Sequence, residues 1–453
     1  MQKVPQFHLF KKALGLPSGD SATLKKCILT GSKFNCMASK RLQSIRIDQL
    51  RIGMCVAKLD ISWLDSPFLS HAKQIKSDKE IQALEDAGVQ QLMIDLERGD
   101  GLSESSGDSV GGQAAPTIGD SKDSAHSKQE PLSLAQSVAK EMKAAFSIRS
   151  KVKEAVDGVF RSLETGAPVE MEDLLPLIDS TLASLERNSQ ALMSLVHLTR
   201  KSKKLADHTF GTFSLVLNLA AQMNLPDSEK EALGVAALLH EAGWTQLPLS
   251  LMGSRVRYNA NQLTLVQKHT LLGEKLLARS ELSALSRRIV NEHHELLDGS
   301  GYPKGLKGDQ IHRLTQLLTV VDVYEERVHQ LTDKPGMIAT NALRSLYLDA
   351  EKGMLNPEVV AMFINTLGIY PVSTAVELNT GEKAVVTAVH AEAPLQPLVK
   401  IYYDAKGNLM SPPLEIDLHA PSSAGARQVK AALDPRAADV DPARRLILEE
   451  GDW

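Results

Sequence analysis

Apolar and polar residues alternate or recur along this chain with two different periods. In residues 43–97, the stretch IRIDQL (45–50) alternates as a half-buried strand does, and residues 89–96 read as a second strand. Between them, Ser77-Asp78-Lys79-Glu80 has the capping-box pattern that starts a helix, and Gly88 is a suitable helix stop. These patterns predict a small α+β domain at 43–97.

Helical spacing of apolar residues dominates from residue 131 onward. It marks a helical segment at 131–199, with LAQSVAKEMKAAF, VKEAVDGVFRSL and MEDLLPLIDSTLASL, and it continues through 200–371. At 372–420 the pattern changes to short strands, AVEL, AVVTAV and LVKIYYD, separated by the turn-like NTGE and AKGN. We therefore expect a mainly α fold: a helical bundle with a small α+β N-terminal domain and a short C-terminal β appendage.

The remaining regions carry little periodicity. Gly, Ser, Asp and Gln dominate residues 98–130, which we interpret as a disordered linker. Residues 421–453 are interrupted by prolines and are interpreted as a tail. Residues 1–42 allow two interpretations: a disordered tail, or a chain whose translation starts at Met37.

Composition and charge narrow the functional classes. The chain has 51 Lys and Arg against 55 Asp and Glu, a net charge of −4, which excludes a broad basic surface for nucleic acid. The longest stretch without these four residue types is 208–226, and its polar residues exclude a membrane span there. The three cysteines fit neither a disulfide framework nor a zinc ribbon, and the N-terminus lacks the apolar core of a signal peptide. We expect a cytoplasmic protein with no nucleic-acid partner.

Histidine and carboxylate residues interrupt the apolar helical runs between 200 and 330. One such histidine is more often a hydrogen-bonded core residue than a ligand, but buried carboxylates are rare unless they are paired or bound to metal. A shared polynuclear metal centre would provide a partner for all of these side chains at once. Nitrogen and oxygen ligands without thiolate suit Fe, Mn, Zn or Ni. The candidate ligands are His208, His240, Glu241, His269, His293, His294 and Asp322.

The order of these residues resembles the HD superfamily of metal-dependent phosphohydrolases. HHELLDGSGYPKGL (293–306) is similar at every fixed position to HHExxDGSGYPxGL, the signature of the HD-GYP subfamily. KHTLLG also resembles the family element HPxxG, with Thr270 in place of Pro. The resemblance covers 200–371, and the segments 43–97 and 372–420 look like domains that often flank an HD-GYP domain.

The resemblance implies an HD-type helical bundle that hydrolyses cyclic di-GMP to pGpG or GMP with two or three bound metal ions. It implies that the seven candidates are the metal ligands, with His240 and Glu241 in the catalytic motif. It places Gly301, Tyr302 and Pro303 in a loop that contacts the nucleotide. It also suggests GGDEF-domain signalling proteins as partners, and a homodimer.

The chain departs from the family pattern around the metal motif. HDxGK becomes His240-Glu241-Ala242-Gly243-Trp244, so the carboxylate is one methylene longer and a substrate-binding Lys is replaced by an uncharged Trp. Lys204 occupies the position where some members carry a Glu that supports a third metal, so we expect two divalent transition-metal ions, Fe or Mn. Lys334 stands in for the Arg of a substrate-side segment that otherwise differs from the family. These departures predict slow turnover.

Three hypotheses follow for the function. The first is a metal-dependent cyclic di-GMP phosphodiesterase. The second is a degenerate HD-GYP protein that acts as a cyclic di-GMP sensor or as a protein-interaction module. The third is an ordinary bundle whose histidines are core residues, which would leave the His-His and His-Glu pairs buried without partners.

Overall fold

The structure, a computed structural model, describes residues 42–59, 73–75, 77–86, 89, 91–95, 134–198, 205–248, 250–251, 258–329, 336–390, 393–420 and 425–434. They fall into two units, one within Phe34–Pro131 and a larger one that contains Leu132–Trp453. The alternative start at Met37, the linker at 98–130, Lys204 and Lys334 lie outside the described residues.

The smaller unit is a four-stranded antiparallel sheet with one helix. Ile45, Leu84 and Ile94 are buried together in its core. The predicted strand at 45–50 ends at Arg46, because the Gln49 side chain accepts a hydrogen bond from the Arg46 amide and closes a 3-10 turn. The elements are β1 (Leu42–Arg46), β2 (Cys55–Leu59), β3 (Lys73–Gln74), α1 (Asp78–Asp86) and β4 (Gln91–Asp95), with the strand order β1-β4-β2-β3.

The larger unit is a helical bundle built around one buried helix. Its helices are α2 (Leu134–Glu164), α3 (Met171–Leu198), α4 (Leu205–Gln222), α5 (Asp227–Leu239), α6 (Ala260–Gln267), α7 (His269–Leu277), α8 (Ala284–Glu292), α9 (Arg313–Val328), α10 (Ala339–Glu351) and α11 (Pro357–Leu367). Residues 206–220 of α4 are all buried, because α2, α3, α5, α9 and α11 pack around it. Burial on every side favours small or apolar residues all round, and most residues of α4 are of that kind; the exceptions include the buried Asp207, His208 and Asn218.

Helix α3 is kinked at Asn188, whose backbone leaves the helical region (φ −165°, ψ 103°). The Asn188 side chain accepts a hydrogen bond from the Gln190 amide at 2.9 Å. Gln190 in turn hydrogen-bonds both backbone groups of Val389, at 3.0 and 2.9 Å. The kink thus joins the bundle to the C-terminal sheet.

The C-terminal sheet has five antiparallel strands, two more than the sequence predicts. The unpredicted strand β8 contains Pro412 and Pro413, which an edge strand tolerates. The other, β9, lies inside the predicted tail 421–453; its short segment VKAA becomes a strand by pairing with β5. The strands are β5 (Ala375–Leu378), β6 (Lys383–Ala388), β7 (Leu398–Tyr403), β8 (Leu409–Asp417) and β9 (Val429–Ala432), in the order β8-β7-β6-β5-β9.

The predicted fold class is confirmed: a mainly helical bundle accompanied by a small α+β domain and a C-terminal sheet. Among the described helices, none has the length and apolar character that crossing a membrane requires.

Candidate metal centre

All seven predicted ligand residues lie at one place in the bundle, where the ends of several helices meet. His208 is in the first turn of α4, His240 and Glu241 follow the last residue of α5, and His269 begins α7. The pair His293-His294 follows α8, and Asp322 lies within α9. Six of the seven are buried, and His294 is half-buried, so the centre has one partly open side.

Three overlapping groups of side chains could each hold a metal ion; two consist wholly of predicted ligands, and the third, His294, Asp322 and the exposed Glu326, shares a member with each of them. In the first, the Asp322 Oδ1 atom lies 3.3 Å from His208 Nε2 and 3.4 Å from His240 Nε2, and the two Nε2 atoms are 3.3 Å apart. In the second, His269 Nε2 lies 3.3 Å from His293 Nε2, and His294 completes the group. Within each group the candidate ligand atoms lie within 4.8 Å of one another. Each group thus has the spacing of a metal site.

Backbone carbonyls fix the orientation of three of these imidazoles. The Nδ1 atoms of His240, His269 and His293 lie 2.8, 2.8 and 2.6 Å from the carbonyl oxygens of residues 237, 266 and 290. Because a carbonyl oxygen only accepts, each Nδ1 carries a hydrogen, and when the ring is neutral its Nε2 presents a lone pair. The lone pairs of His269 and His293 therefore face each other at 3.3 Å, an arrangement that a cation between them stabilises.

The Glu241 carboxylate lies between the two groups. Its Oε1 atom is 3.6 Å from His208 Nε2, and its Oε2 atom is 3.5 Å from His269 Nε2. Asp322 has a similar placement, since its Oδ2 atom is 3.7 Å from His294 Nδ1. Two carboxylates thus extend from one group to the other, so each could ligate a metal ion held by either group.

The electrostatics of the two groups differ. Burial lowers the pKa of His269, lowers that of His293 to about 3, and places that of His294 well below its usual range, so these rings are neutral at neutral pH. Burial also disfavours protonation of His208, but the carboxylates of Glu325 and Asp322 outweigh it and hold its pKa well above the usual range. A metal ion at the first group therefore competes with a proton on His208.

Sequence reasoning missed Glu325. This buried carboxylate accepts a hydrogen bond from His208 Nδ1 and lies 2.9 Å from His329 Nδ1. It approaches α4 where Gly211 stands; a Cβ atom there would collide with the Glu325 carboxylate. Two signals were present in the sequence: an acid three residues after Asp322 on the same helix, and a Gly three residues after His208.

Trp244 occupies the place of the family Lys and packs inward. Its ring is stacked on His269, with ring centroids 5.6 Å apart and an angle of 22° between the planes. It belongs to an apolar cluster with Leu247, Leu251 and Val266. A Cβ atom on the preceding Gly243 would collide with the His269 carbonyl, so this Gly lets the turn approach α7. Trp244 thus supports a predicted ligand and supplies no charge.

The predicted nucleotide loop lies beside the second group. The Tyr302 amide donates to the His294 carbonyl at 3.1 Å, and the two rings lie 4.8 Å apart, tilted by 35°. A side chain on Gly301 would collide with the backbone at His294 to Leu296, so the chain passes there only as Gly. Pro303 follows directly. The loop therefore brings Tyr302 next to the partly open side of the centre.

Glu295, the third residue of the HHE motif, holds this loop. Its carboxylate is 1% exposed and accepts hydrogen bonds from the amides of Lys304 at 2.6 Å and Leu306 at 2.8 Å. Both donating residues come within three positions after Pro303 in the chain. Glu295 thus closes the loop onto the end of α8 and fixes where Tyr302 stands.

Three family models match the chain in succession. A domain of unknown function (DUF3391) matches residues 42–174, an HD domain matches 175–359, and a KOW domain associated with the HD domain matches 375–435. The HD match contains all seven predicted ligands and the loop around Tyr302.

Several curated proteins are similar to this chain. The cyclic di-GMP phosphodiesterase PA4108 of Pseudomonas aeruginosa is 31% identical over 380 residues, 83% of this chain and 89% of that protein. The cyclic di-GMP phosphodiesterase PdeB of Borreliella burgdorferi is 25% identical over 42% of this chain and 50% of its own length. The 3′3′-cGAMP-specific phosphodiesterase 3 of Vibrio cholerae is 26% identical over 34% of this chain and 33% of its own length.

The long match to PA4108, the HD-domain match and the complete HHExxDGSGYPxGL signature agree with one another. The resemblance inferred from the sequence is thereby confirmed, and this chain belongs to the HD-GYP family of HD-domain proteins.

Proposed function

We propose that this chain is a metal-dependent phosphodiesterase that hydrolyses cyclic di-GMP to pGpG or GMP in bacterial signalling. The observation that carries the proposal is the position of Glu241, with one carboxylate oxygen toward each group of histidines. A bundle that used these histidines only for packing would have no reason to bring lone pairs and carboxylates together in this way.

The residues fit two divalent transition-metal ions, Fe or Mn. His208, His240 and Asp322 would hold one ion, and His269, His293 and His294 the other, with Glu241 shared between them. These are nitrogen and oxygen donors, which suit such metals. Bound divalent ions supply Lewis-acid stabilisation of phosphoryl charge and lower the pKa of water at neutral pH.

The substrate side is built by the loop at 301–303. Tyr302 offers a ring face and a hydroxyl next to His294, where a nucleotide can stack and hydrogen-bond. Gly301 lets the loop approach, and Pro303 limits its freedom. No cation at position 244 assists the phosphate, which supports the prediction of slow turnover. Lys334 stays a predicted substrate contact.

Turnover is favoured over a sensor without catalysis, since PA4108, PdeB and the Vibrio cholerae relative are each named as a phosphodiesterase. The long match to PA4108 favours cyclic di-GMP over 3′3′-cGAMP as substrate. GGDEF-domain partners, a homodimer and a cytoplasmic location remain predictions from the family resemblance.

The test is metal analysis coupled with turnover. Protein prepared anaerobically with Mn²⁺ or Fe²⁺ should hold about two ions per chain and convert cyclic di-GMP to pGpG or GMP faster than it converts 3′3′-cGAMP. His293→Ala should lose both metal and turnover. A metal-loaded protein that cleaves bis-p-nitrophenyl phosphate but neither cyclic dinucleotide would contradict the substrate. A protein with less than half an equivalent of metal would contradict the metal centre.

A further inference from the structure

A buried carboxylate with two half-buried cationic partners lies directly beside the metal centre, between α2 and α4. Asp207, 2% exposed, comes one residue before the proposed ligand His208. Its Oδ1 atom pairs with Arg149 at 2.8 Å and with Lys153 at 2.7 Å. The two cations are four residues apart on α2 and therefore on one face of it. A buried carboxylate with two cationic partners is a fixed connection between these helices.

This connection determines how α4 is rotated about its axis. Neighbouring residues of a helix point about 100° apart, so the direction of Asp207 determines that of His208. On the other side of the same turn, His208 donates through Nδ1 to Glu325 on α9. The first turn of α4 is thus held from two sides, and the His208 Nε2 atom faces His240 and Asp322.

Helix α2 also contacts the chain next to His240, a second residue of the group formed by His208, His240 and Asp322. It packs against the 3-10 turn Ala242–Gln246, which directly follows Glu241. One helix, itself without any of the seven proposed ligands, therefore contacts both the helix that carries His208 and the turn that directly follows His240 and Glu241.

We propose that Asp207, Arg149 and Lys153 form a positioning set that holds His208 in the orientation for metal binding. The inference rests on the proposed metal centre. Without the connection, the first turn of α4 can rotate, so the group of His208, His240 and Asp322 should bind its ion about 10-fold more weakly. The group of His269, His293 and His294 has no ligand on α4 and should keep its affinity.

The experiment measures the number and affinity of Mn²⁺ ions bound to the full chain by competition with a chelator. Arg149→Met/Lys153→Met should weaken one of the two ions about 10-fold. Asp207→Asn should weaken the same ion without leaving a buried unpaired charge, which keeps the test valid if the double variant folds poorly. The conservative exchange Arg149→Lys/Lys153→Arg keeps both charges and should behave as the parent.

A matched control exists on the same helix. Glu141 of α2 is also buried, and it accepts hydrogen bonds from Arg187 of α3 at 2.9 and 2.8 Å, but it adjoins no proposed ligand. Arg187→Met should lower the melting temperature and leave both Mn²⁺ affinities unchanged. The inference is overturned if Asp207→Asn stays within about two-fold of the parent, or if Arg187→Met weakens Mn²⁺ binding equally. A parent that binds no Mn²⁺ overturns the proposed metal centre itself.

Discussion

At the scale of single residues, the length of Glu241 is the feature that matters most. Its two oxygens stand at nearly equal distances, 3.6 and 3.5 Å, from a histidine of each group. The family Asp is shorter by one methylene, about 1.5 Å. In this bundle, the Glu therefore suits its position, and the prediction of slow turnover rests on Trp244.

We predict that Glu241→Asp lowers metal binding in this chain, although it restores the family residue. The shorter side chain cannot reach both groups without movement of the turn, so affinity for at least one ion should fall about 10-fold. Elemental analysis after dialysis measures the loss. Glu241→Gln keeps the length without the charge and serves as the comparison. Full metal content in Glu241→Asp would contradict the bridging position.

The unequal protonation of the two groups predicts a stepwise loss of metal in acid. The pKa of His208 is raised, so its proton competes with metal from a higher pH, whereas His293, with a pKa lowered to about 3, stays neutral. Affinity at the first group should fall about tenfold per pH unit below the His208 pKa. Metal content should thus drop from two ions to one before reaching none. Glu325→Gln should move the first step to lower pH, because the Glu325 carboxylate raises the pKa of His208. Loss of both ions in a single step in the parent would contradict the prediction.

Residue types in the sequence were enough to single out seven candidates that the structure brings together, but not to show how they are held. Imidazoles and carboxylates stand out in apolar helical runs, and the HHE…GYP spacing is specific. Glu325 was missed because its role depends on α9 packing against α4 near Gly211, a contact between distant segments. From the sequence, Trp244 was interpreted only as the loss of a positive charge, because its stacking on His269 depends on the folded structure.

At the scale of elements, the loop from Gly301 to Leu306 depends on the Glu295 carboxylate. We predict that Glu295→Gln raises KM for cyclic di-GMP about 10-fold with metal content unchanged, because an amide accepts only one of the two backbone hydrogen bonds and turns a donor toward the other. Asp298→Asn is the matched control, since that carboxylate is exposed and accepts hydrogen bonds from the amide and hydroxyl of Ser300, two residues further along. Equal effects of the two variants would contradict a special role for Glu295.

The 3-10 turn that carries Trp244 gives a second test. We predict that Trp244→Lys destabilises the fold by about 3 kcal/mol, because it removes a buried ring and places a charge in an apolar cluster. Thermal or denaturant unfolding measures the change. Trp244→Phe preserves stacking and should lose less. A Lys variant as stable as the parent and faster on cyclic di-GMP would show that the family residue fits this site.

The sequence predicted the elements whose own residues carry a clear pattern. It missed the elements that form only through contact with distant segments. Helix α4 is apolar over most of its length, and the sequence indicated it directly. β8 contains two prolines, and β9 has only four residues, so both exist through pairing with neighbours in the sheet. The bend at Asn188 likewise depends on a distant contact, from Gln190 to Val389.

At the scale of the whole molecule, the metal centre joins segments that are far apart in the chain. Its proposed ligands begin at His208 and end at Asp322, and they come from α4, α7, α9 and the ends of α5 and α8. In the unfolded chain these groups are dispersed, so a preformed site exists only in the folded bundle. Metal binding is therefore coupled to the folding of the larger unit.

This coupling predicts a metal-dependent melting temperature. A ligand at 100 times its dissociation constant stabilises the native state by about 2.7 kcal/mol, which for the larger unit, with Leu132–Trp453, is a shift of roughly 4 °C. Mn²⁺ added to metal-free protein should produce that shift in a thermal scan, and the shift should grow with the logarithm of the Mn²⁺ concentration.

His293→Ala should lower the starting melting temperature, because it opens a cavity, and should also lose most of the Mn²⁺-dependent increase. A variant at a histidine outside the centre, His390→Ala beside the C-terminal sheet, should keep the full increase. If His293→Ala still gained as much as the parent, the histidine groups would not be where the metal binds.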